Sequence, residues 1–213
     1  MSDAVEDEAT LPGRLTRTSL DQALRCCHAC ELYRDATQVV PGRGVLKSRL
    51  MLVGEQPGDR EDREGEAFVG PAGRVLDRAL EQAGLAPEDV FITNAVKHFR
   101  FRTVGKRRIH QSPTQRQVVA CRPWLLAELT LVRPDGLVLL GGTAGKAIFG
   151  PSFRIGPARG ELLPWPVAVP VEHQPAWVTA TIHPSAVLRS RDRDDMLAGL
   201  VKDLAAARAA LDR

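Results

Sequence analysis

Arg49-Leu-Met-Leu-Val-Gly54 decides the fold: it is a short apolar run stopped by Gly54 and then Pro57, the pattern of a buried parallel strand. Downstream, between Ala72 and Gly84, Val75, Leu76, Ala79, Leu80 and Ala83 recur at helical spacing. Gly84 supplies a helix stop before a second apolar run, Val90 to Val96. Strand, helix and strand in that order make a βαβ unit, and the rhythm continues. A long basic loop from Lys97 to about Thr114 leads to a helix through Leu131, a strand at Gly136 to Leu140 and a helix from Thr143. Trp177 to Ile182 reads as a further strand ending in His183-Pro-Ser185, and Asp194 to Leu211 as a closing amphipathic helix. This alternation predicts an α/β fold, a single three-layer αβα domain with a central, mostly parallel sheet.

Upstream of the first strand, residues 1 to 18 read as a polar tail, so the domain is expected over residues 19–213. A short helix from Ser19 delivers Cys26, Cys27 and Cys30 into a turn. The 213 residues suffice for one sizeable core and are too few for two comfortable ones. The longest apolar run, Val118 to Val132, is interrupted by Arg122 and Glu128, and the N-terminus is acidic and polar. Neither a membrane span nor a secretory signal is read there, and the expected location is the cytoplasm.

Net charge is only +3, but its distribution is uneven. Between Asp89 and Glu128 there is no acidic residue, while Lys97, Arg100, Arg102, Lys106, Arg107, Arg108, Arg116 and Arg122 all fall there. Such a segment suits phosphates, although a solvated basic loop is the ordinary reading of a run such as Lys106 to His110. In open parallel sheets, ligands sit beyond the carboxyl ends of the strands. That rule gathers Glu55 to Asp59, Asn94 to His98, the Gly141-Gly-Thr143 turn and His183 at one edge, although no two adjoin in sequence. Gly142-Thr-Ala-Gly-Lys146 is not a nucleotide-binding loop, since the position required for its first glycine is Leu140.

Four cysteines in such a chain are more readily metal ligands or inert thiols than disulfides. Cys27-x-x-Cys30 offers two thiolates on one turn, suited to zinc or an iron-sulfur cluster. Cys121 and His98 are plausible completions, His98 being equally readable as a surface histidine and Cys26 as a competitor of Cys27.

The motifs together resemble those of the family 4 uracil-DNA glycosylases, and more closely the UdgX-type branch that binds uracil-containing DNA covalently. The match runs through Cys27-x-x-Cys30-Glu-Leu-Tyr-Arg-Asp-Ala-Thr37, Gly54-Glu-Gln-Pro-Gly-Asp-x-Glu-Asp62, Phe68-Val-Gly-Pro-Ala-Gly73 and Asn94-Ala-Val-Lys-His98. It continues through Lys106-Arg-Arg-Ile-His110, Cys121-Arg-Pro-Trp124 and His183-Pro-Ser185. The resemblance implies a 4Fe-4S cluster held by Cys27, Cys30, His98 and Cys121, the histidine replacing a cysteine of ordinary family 4 members. It also implies a pocket built with Gly54, Asp62, Phe68 and Asn94, in which Phe68 stacks on uracil and the Asn94 amide donates to and accepts from the pyrimidine edge.

An enzyme that acts on one base must rotate it out of the stack, at a cost of roughly a few kcal/mol. Stacking on an aromatic ring returns about 1 to 3 kcal/mol of that. Bond cleavage leaves negative charge on uracil, for which His183 is the implied donor, and positive charge on the sugar. Classical family 1 enzymes carry a water-orienting aspartate in a Gly-Gln-Asp-Pro turn, where this chain has Gly54-Glu-Gln-Pro57, and an amide cannot act as a base. In the UdgX-type pattern the histidine of the Lys-Arg-Arg-Ile-His loop attacks the sugar, which assigns the nucleophile to His110. Glu55, Gln56, Asp59 and Asp62 shape the pocket or orient that histidine, and Lys106, Arg107 and Arg108 meet DNA phosphates.

The implied partner is uracil-containing DNA, single strands included, with no membrane and no obligate protein partner. Two alternatives accompany this reading. One is a conventional hydrolytic family 4 enzyme, and the other a non-catalytic, metal-stabilised nucleic-acid-binding or redox module.

Overall fold

In a computed structural model, which describes residues 9–212, the chain alternates strands and helices as the sequence predicts. Helix α1 (Arg17–Arg25) precedes strands β1 (Arg43–Gly44) and β2 (Leu50–Gly54), then α2 (Asp59–Glu64), α3 (Pro71–Gln82) and β3 (Val90–Asn94). Strands β4 (Phe101–Val104) and β5 (Arg107–His110) lead to α4 (Gln115–Val132), β6 (Gly136–Leu140), α5 (Gly142–Phe149) and α6 (Ile155–Ala158). Strand β7 (Trp177–Thr181), α7 (Pro184–Arg189) and α8 (Arg193–Leu211) close the chain.

The main sheet runs in the order β1-β3-β2-β6-β7, parallel throughout except for the antiparallel edge strand β1. Every residue of β2, β3, β6 and β7 is buried, because helices cover both faces. The period of two along each strand sorts side chains between two cores. Met51, Val53, Leu137 and Leu139 face Val118, Trp124, Leu125 and Leu129 of α4. Leu50, Leu52, Val138 and Leu140 face Leu76 and Leu80 of α3 and Leu197, Leu200 and Leu204 of α8. This is the expected three-layer arrangement.

Helix starts follow local chemistry. Thr16 caps α1 and Thr114 caps α4, each accepting from the backbone N–H three residues on, in reciprocal boxes with Ser19 and Gln117. Helix α1 therefore begins two residues before Ser19. Residues 1–8 of the expected tail lie outside the described residues. None of the described helices is long and apolar enough to cross a membrane.

The clearest departure from expectation is the segment read as a long basic loop from Lys97 to Thr114. It contains an antiparallel hairpin, β4 paired with β5 from Phe101↔His110 to Val104↔Arg107 and turned at Gly105, whose φ is +59°. Phe101, Thr103, Val104 and Ile109 are interspersed there with basic residues, so strand-favouring side chains are present beneath the charge. The Asp59–Glu64 stretch, in which the Gly54–Asp62 motif ends, is a short helix ended by Gly65 in the left-handed region.

Candidate functional site

Beyond the carboxyl ends of β2, β3, β6 and β7 lies a cavity of about 1100 Å³. Its walls include Glu55, Gln56 and Asp59 after β2, Asn94 at the end of β3, His110 at the end of β5, Gly141 and Gly142 after β6, and His183 after β7. Arg60, Phe68 and Arg189 also line it. The topology thus brings together residues that lie far apart in sequence.

Phe68, Asn94 and Gly54 form the floor. Phe68 is buried with φ +56°, a left-handed conformation that is costly for a bulky residue and is typical of residues held in place for a ligand. Asn94 is buried, and its Oδ1 is an unpartnered buried side-chain oxygen, aimed where a donor is missing. A Cβ on Gly54 would lie 2.4 Å from Asn94 Oδ1 and 2.5 Å from Phe68 Cζ, so only glycine lets the two side chains share this floor.

His183 stands at the opposite wall, its ring centroid 6.0 Å from that of Phe68. It caps α7: its Nδ1 accepts the Ser185 N–H at 3.2 Å and lies 2.8 Å from Ser185 Oγ. With Nδ1 accepting, the proton of the neutral ring sits on Nε2. Burial pushes the pKa down to about 4, with Glu55 opposing and Arg189 and His110 reinforcing. At neutral pH His183 is therefore a neutral donor.

His110 faces Glu55, with Nε2 3.3 Å from Oε1. The other carboxylate oxygen, Oε2, accepts from the Thr143 hydroxyl at 2.7 Å. Burial lowers the His110 pKa below the ordinary imidazole value, Glu55 raises it and Arg189 lowers it again. A neutral ring that keeps its proton on Nε2 and points that N–H at Glu55 has a free lone pair on its opposite nitrogen.

The remaining residues of this loop cluster separate into distinct places. Gln56 is buried and binds the backbone at both ends of the hairpin, donating from Nε2 to Arg100 O and Gln111 O and accepting Arg100 N–H at Oε1. Asp62 is fully buried outside the cavity wall, accepting Thr37 N–H and an Arg108 N–H at 2.6 Å. Arg108 also pairs with Asp59 and lies over the Phe99 and Phe101 rings. Burial works against the Asp59 charge, but Arg108 and Arg63 outweigh it and hold the carboxyl below the usual carboxylate range. Arg108 thus turns inward as a fastener, with its donors taken by Asp59, Asp62 and Thr37. Lys106 and Arg107 point outward and are exposed.

Cys30, Cys121 and His98 are buried and Cys27 is half-buried. Two sulfurs already receive N–H groups, Cys27 Sγ from Trp124 Nε1 at 3.1 Å and Cys121 Sγ from the Lys97 backbone at 3.2 Å. Burial pushes the Cys121 thiol up to about 12, Lys97 works against this, and nearby Cys27 and Cys30 add to it. Three close thiols with N–H donors on two of them suit an iron-sulfur group chemically. Among the described residues, no three His, Cys, Asp or Glu side chains are already disposed as a metal-binding group. Cys26 is exposed.

A family model for the uracil DNA glycosylase superfamily matches residues 41–205, the span that contains the sheet and every wall of the cavity. The chain belongs to that superfamily. It is 35% identical over 176 residues to a Type-4 uracil-DNA glycosylase of Thermotoga maritima, covering 82% of this chain and 84% of the relative. A Type-4 uracil-DNA glycosylase of Pyrobaculum aerophilum is also 35% identical, with 80% and 83% covered. One from Archaeoglobus fulgidus is 40% identical over 134 residues, covering 62% of this chain and 64% of the relative. Similarity to a Type-5 uracil-DNA glycosylase of Mycobacterium tuberculosis is shorter, 35% identity over 49% of the chain.

Three residues were not singled out by sequence reading. Thr143 lay in a turn already noted as converging on the site, but nothing in the string indicated its bond to Glu55. Arg189 stands four residues after Ser185 in α7 and donates to its hydroxyl at 2.9 Å, a helical pairing visible only once that helix is known. Glu61 is buried and accepts the Gly70 N–H at 2.9 Å, tying α2 to the start of α3. It is hidden in sequence among the charges of Asp59-Arg-Glu-Asp-Arg-Glu64.

Proposed function

We propose that this protein recognises uracil in DNA, cleaves its glycosidic bond, and is left joined through His110 to the deoxyribose C1′. The observation that carries the covalent step is the Glu55–His110 pair at the cavity wall, 3.3 Å apart. It supplies an oriented, neutral imidazole where the family 1 pattern has an aspartate and water.

The flipped base stacks on Phe68, and Asn94 contributes a donor and an acceptor to its edge. As the C1′–N1 bond breaks, its electron pair leaves on uracil, and the neutral His183 donates its Nε2 proton in a hydrogen bond to a carbonyl oxygen of the departing ring. The His110 lone pair closes on C1′, and the positive charge so created on the imidazole is offset by the Glu55 carboxylate. The alkylated ring is a poor leaving group, so one molecule of protein is consumed per event. Lys106 and Arg107 take DNA phosphates, single-stranded DNA included.

Cys27, Cys30, His98 and Cys121 would hold a 4Fe-4S cluster, supported by the thiol environment and the N–H donors on Cys27 and Cys121. Bound there, the group would fasten the α1 turn to α4 and to the segment after β3. A brown preparation with broad visible absorption that is lost in Cys121→Ala is expected. Colourless protein carrying zinc would overturn the assignment.

The conventional hydrolytic reading is favoured by the Type-4 relatives, which align over four-fifths of the chain. One experiment separates the two. Incubation with uracil-containing single-stranded DNA is expected to give an adduct that survives denaturing electrophoresis and is absent in His110→Ser. Free uracil and abasic DNA released with turnover and no adduct would establish hydrolysis instead.

A further inference from the structure

We infer that Thr143 is a positioning residue that sets the Glu55 carboxylate against His110. Resting on the covalent reading above, this adds a third member from a third strand end: Glu55 follows β2, His110 ends β5, and Thr143 lies in the first turn of α5 after β6.

A glutamate has three side-chain torsions, and Glu55 stands in a cavity that also contains Arg60 and Arg189, either of which offers a competing partner. What distinguishes its observed orientation is the division of labour between its oxygens. Oε2 accepts from the Thr143 hydroxyl at 2.7 Å, and Oε1 is left for His110 at 3.3 Å. Threonine suits this task because its β-branch restricts χ1, which limits the orientations its hydroxyl can sample. The turn is itself built for close approach. Gly141, with φ +95°, lets α5 start directly beside His183, and a Cβ there would lie 3.1 Å from His183 Cβ. Thr143 thus reaches the carboxylate while His183 stays at the wall.

The hydroxyl can only donate to the charged oxygen, so it favours the ionised carboxylate that His110 needs as its proton acceptor. Without it, the carboxylate is free to rotate toward the arginines and the histidine loses its orientation. The charged groups that act on His110 are Glu55, which favours its protonated form, and Arg189, which opposes it, while His183 shares the cavity and is itself lowered by His110. Its ring also lies beside Phe99, at 6.1 Å between centroids. Loss of alignment removes the only one of these that retains the proton.

The test compares wild type, Thr143→Val and Thr143→Ser in single-turnover reactions with uracil-containing DNA across pH, measuring adduct yield and free uracil together. Thr143→Val should form adduct roughly tenfold more slowly, the loss equivalent to one hydrogen bond to a charged group. The acid limb of its pH profile should move to lower pH, while its affinity for uracil-free DNA stays unchanged. Thr143→Ser should restore most of the rate and the wild-type profile. Thr143→Ala serves the same purpose if the valine variant does not fold. Wild-type adduct with an unchanged rate and profile in Thr143→Val or Thr143→Ala overturns the inference alone. Absence of adduct from wild-type protein overturns the covalent reading and this inference with it.

Discussion

The Gln56 side-chain amide is bonded to both backbone groups of Arg100, accepting its N–H at 3.1 Å and donating to its C=O at 3.1 Å. A third bond, to Gln111 O at 3.0 Å, reaches the far end of the same hairpin. The position of His110 therefore depends on a residue at the tip of β2. Gln56→Ala removes all three bonds, each worth about 1 kcal/mol. Adduct formation in single-turnover assays should slow roughly tenfold or more. The β2–β3–β6 core is untouched, so far-UV circular dichroism should be unchanged.

The acid dependence of the reaction follows from the two histidines. On the covalent reading proposed above, His110 must be neutral to attack, and partial burial of its half-exposed ring holds its pKa below the ordinary 6.5. His183 stays neutral down to about 4. The rate of adduct formation should be flat from mildly alkaline pH down to about 6.5 and fall only below it, because protonation of His110 removes the lone pair. A midpoint above 6.5 in the pH–rate profile would contradict this assignment.

Asn94 carries a buried, unpartnered oxygen, which a pyrimidine donor would complete. Asn94→Ala removes both halves of the contact, and a paired recognition of this kind is worth about 1–3 kcal/mol. Discrimination between uracil and cytosine oligonucleotides, read as the ratio of single-turnover rates, should shrink roughly ten- to a hundredfold. An unchanged ratio would move base recognition elsewhere.

Arg107 and Arg108 are sequence neighbours with opposite surroundings. Arg107 is exposed, whereas Arg108 is bound to Asp59 and to the fully buried Asp62. Arg107→Ala should reduce the slope of log affinity against log salt by about 1, the signature of one lost phosphate contact. Arg108→Ala should leave that slope intact and instead lower adduct yield, because Asp62 loses its partner and the hairpin its anchor. Fluorescence titrations at several salt concentrations read the first effect and denaturing gels the second.

Lys97 and Glu128 form an ion pair at 2.6 Å with both side chains almost wholly buried. Glu128 also accepts from Gly42 N–H and Thr93 Oγ1. Glu128→Ala leaves the ammonium uncompensated, and breaking such a pair costs about 3–5 kcal/mol. A corresponding loss in urea unfolding is expected, whereas Glu64→Ala, which breaks an exposed pair with Arg60, should cost under about 1 kcal/mol.

The sheet was legible because parallel strands buried on both faces are written as mainly apolar runs, unbroken in Leu50–Val53 and Leu137–Leu140. The hairpin was not, since Arg102, Lys106, Arg107 and Arg108 outweigh Val104 and Ile109 in any reading by charge. Motif order picked out Phe68, Asn94, His110 and His183, and the fold places them around one cavity. It could not distinguish Asp59 and Asp62, which fasten Arg108, from Glu55, which faces His110. Their roles depend on what each meets in space, Glu55 in the segment after β2 and Asp59 and Asp62 on α2, a matter of tertiary placement. Thr143 escaped notice for the same reason, its partner lying 88 positions away.

Hairpin β4–β5 forms a sheet of its own and pairs with none of the five strands behind it. Its attachments include the Gln56 amide bound to the backbone at its base, its own Arg108 guanidinium paired with Asp59 and Asp62, and the packing of Phe101 on Phe99. Such a unit behaves as an interchangeable cartridge. If His110 is the nucleophile proposed above, a change confined to this short ribbon would alter the chemistry while the five-stranded sheet keeps its own pairing. On the proposed covalent reading, whether a molecule of this fold is spent or reused would be decided on that ribbon and not in the sheet behind it.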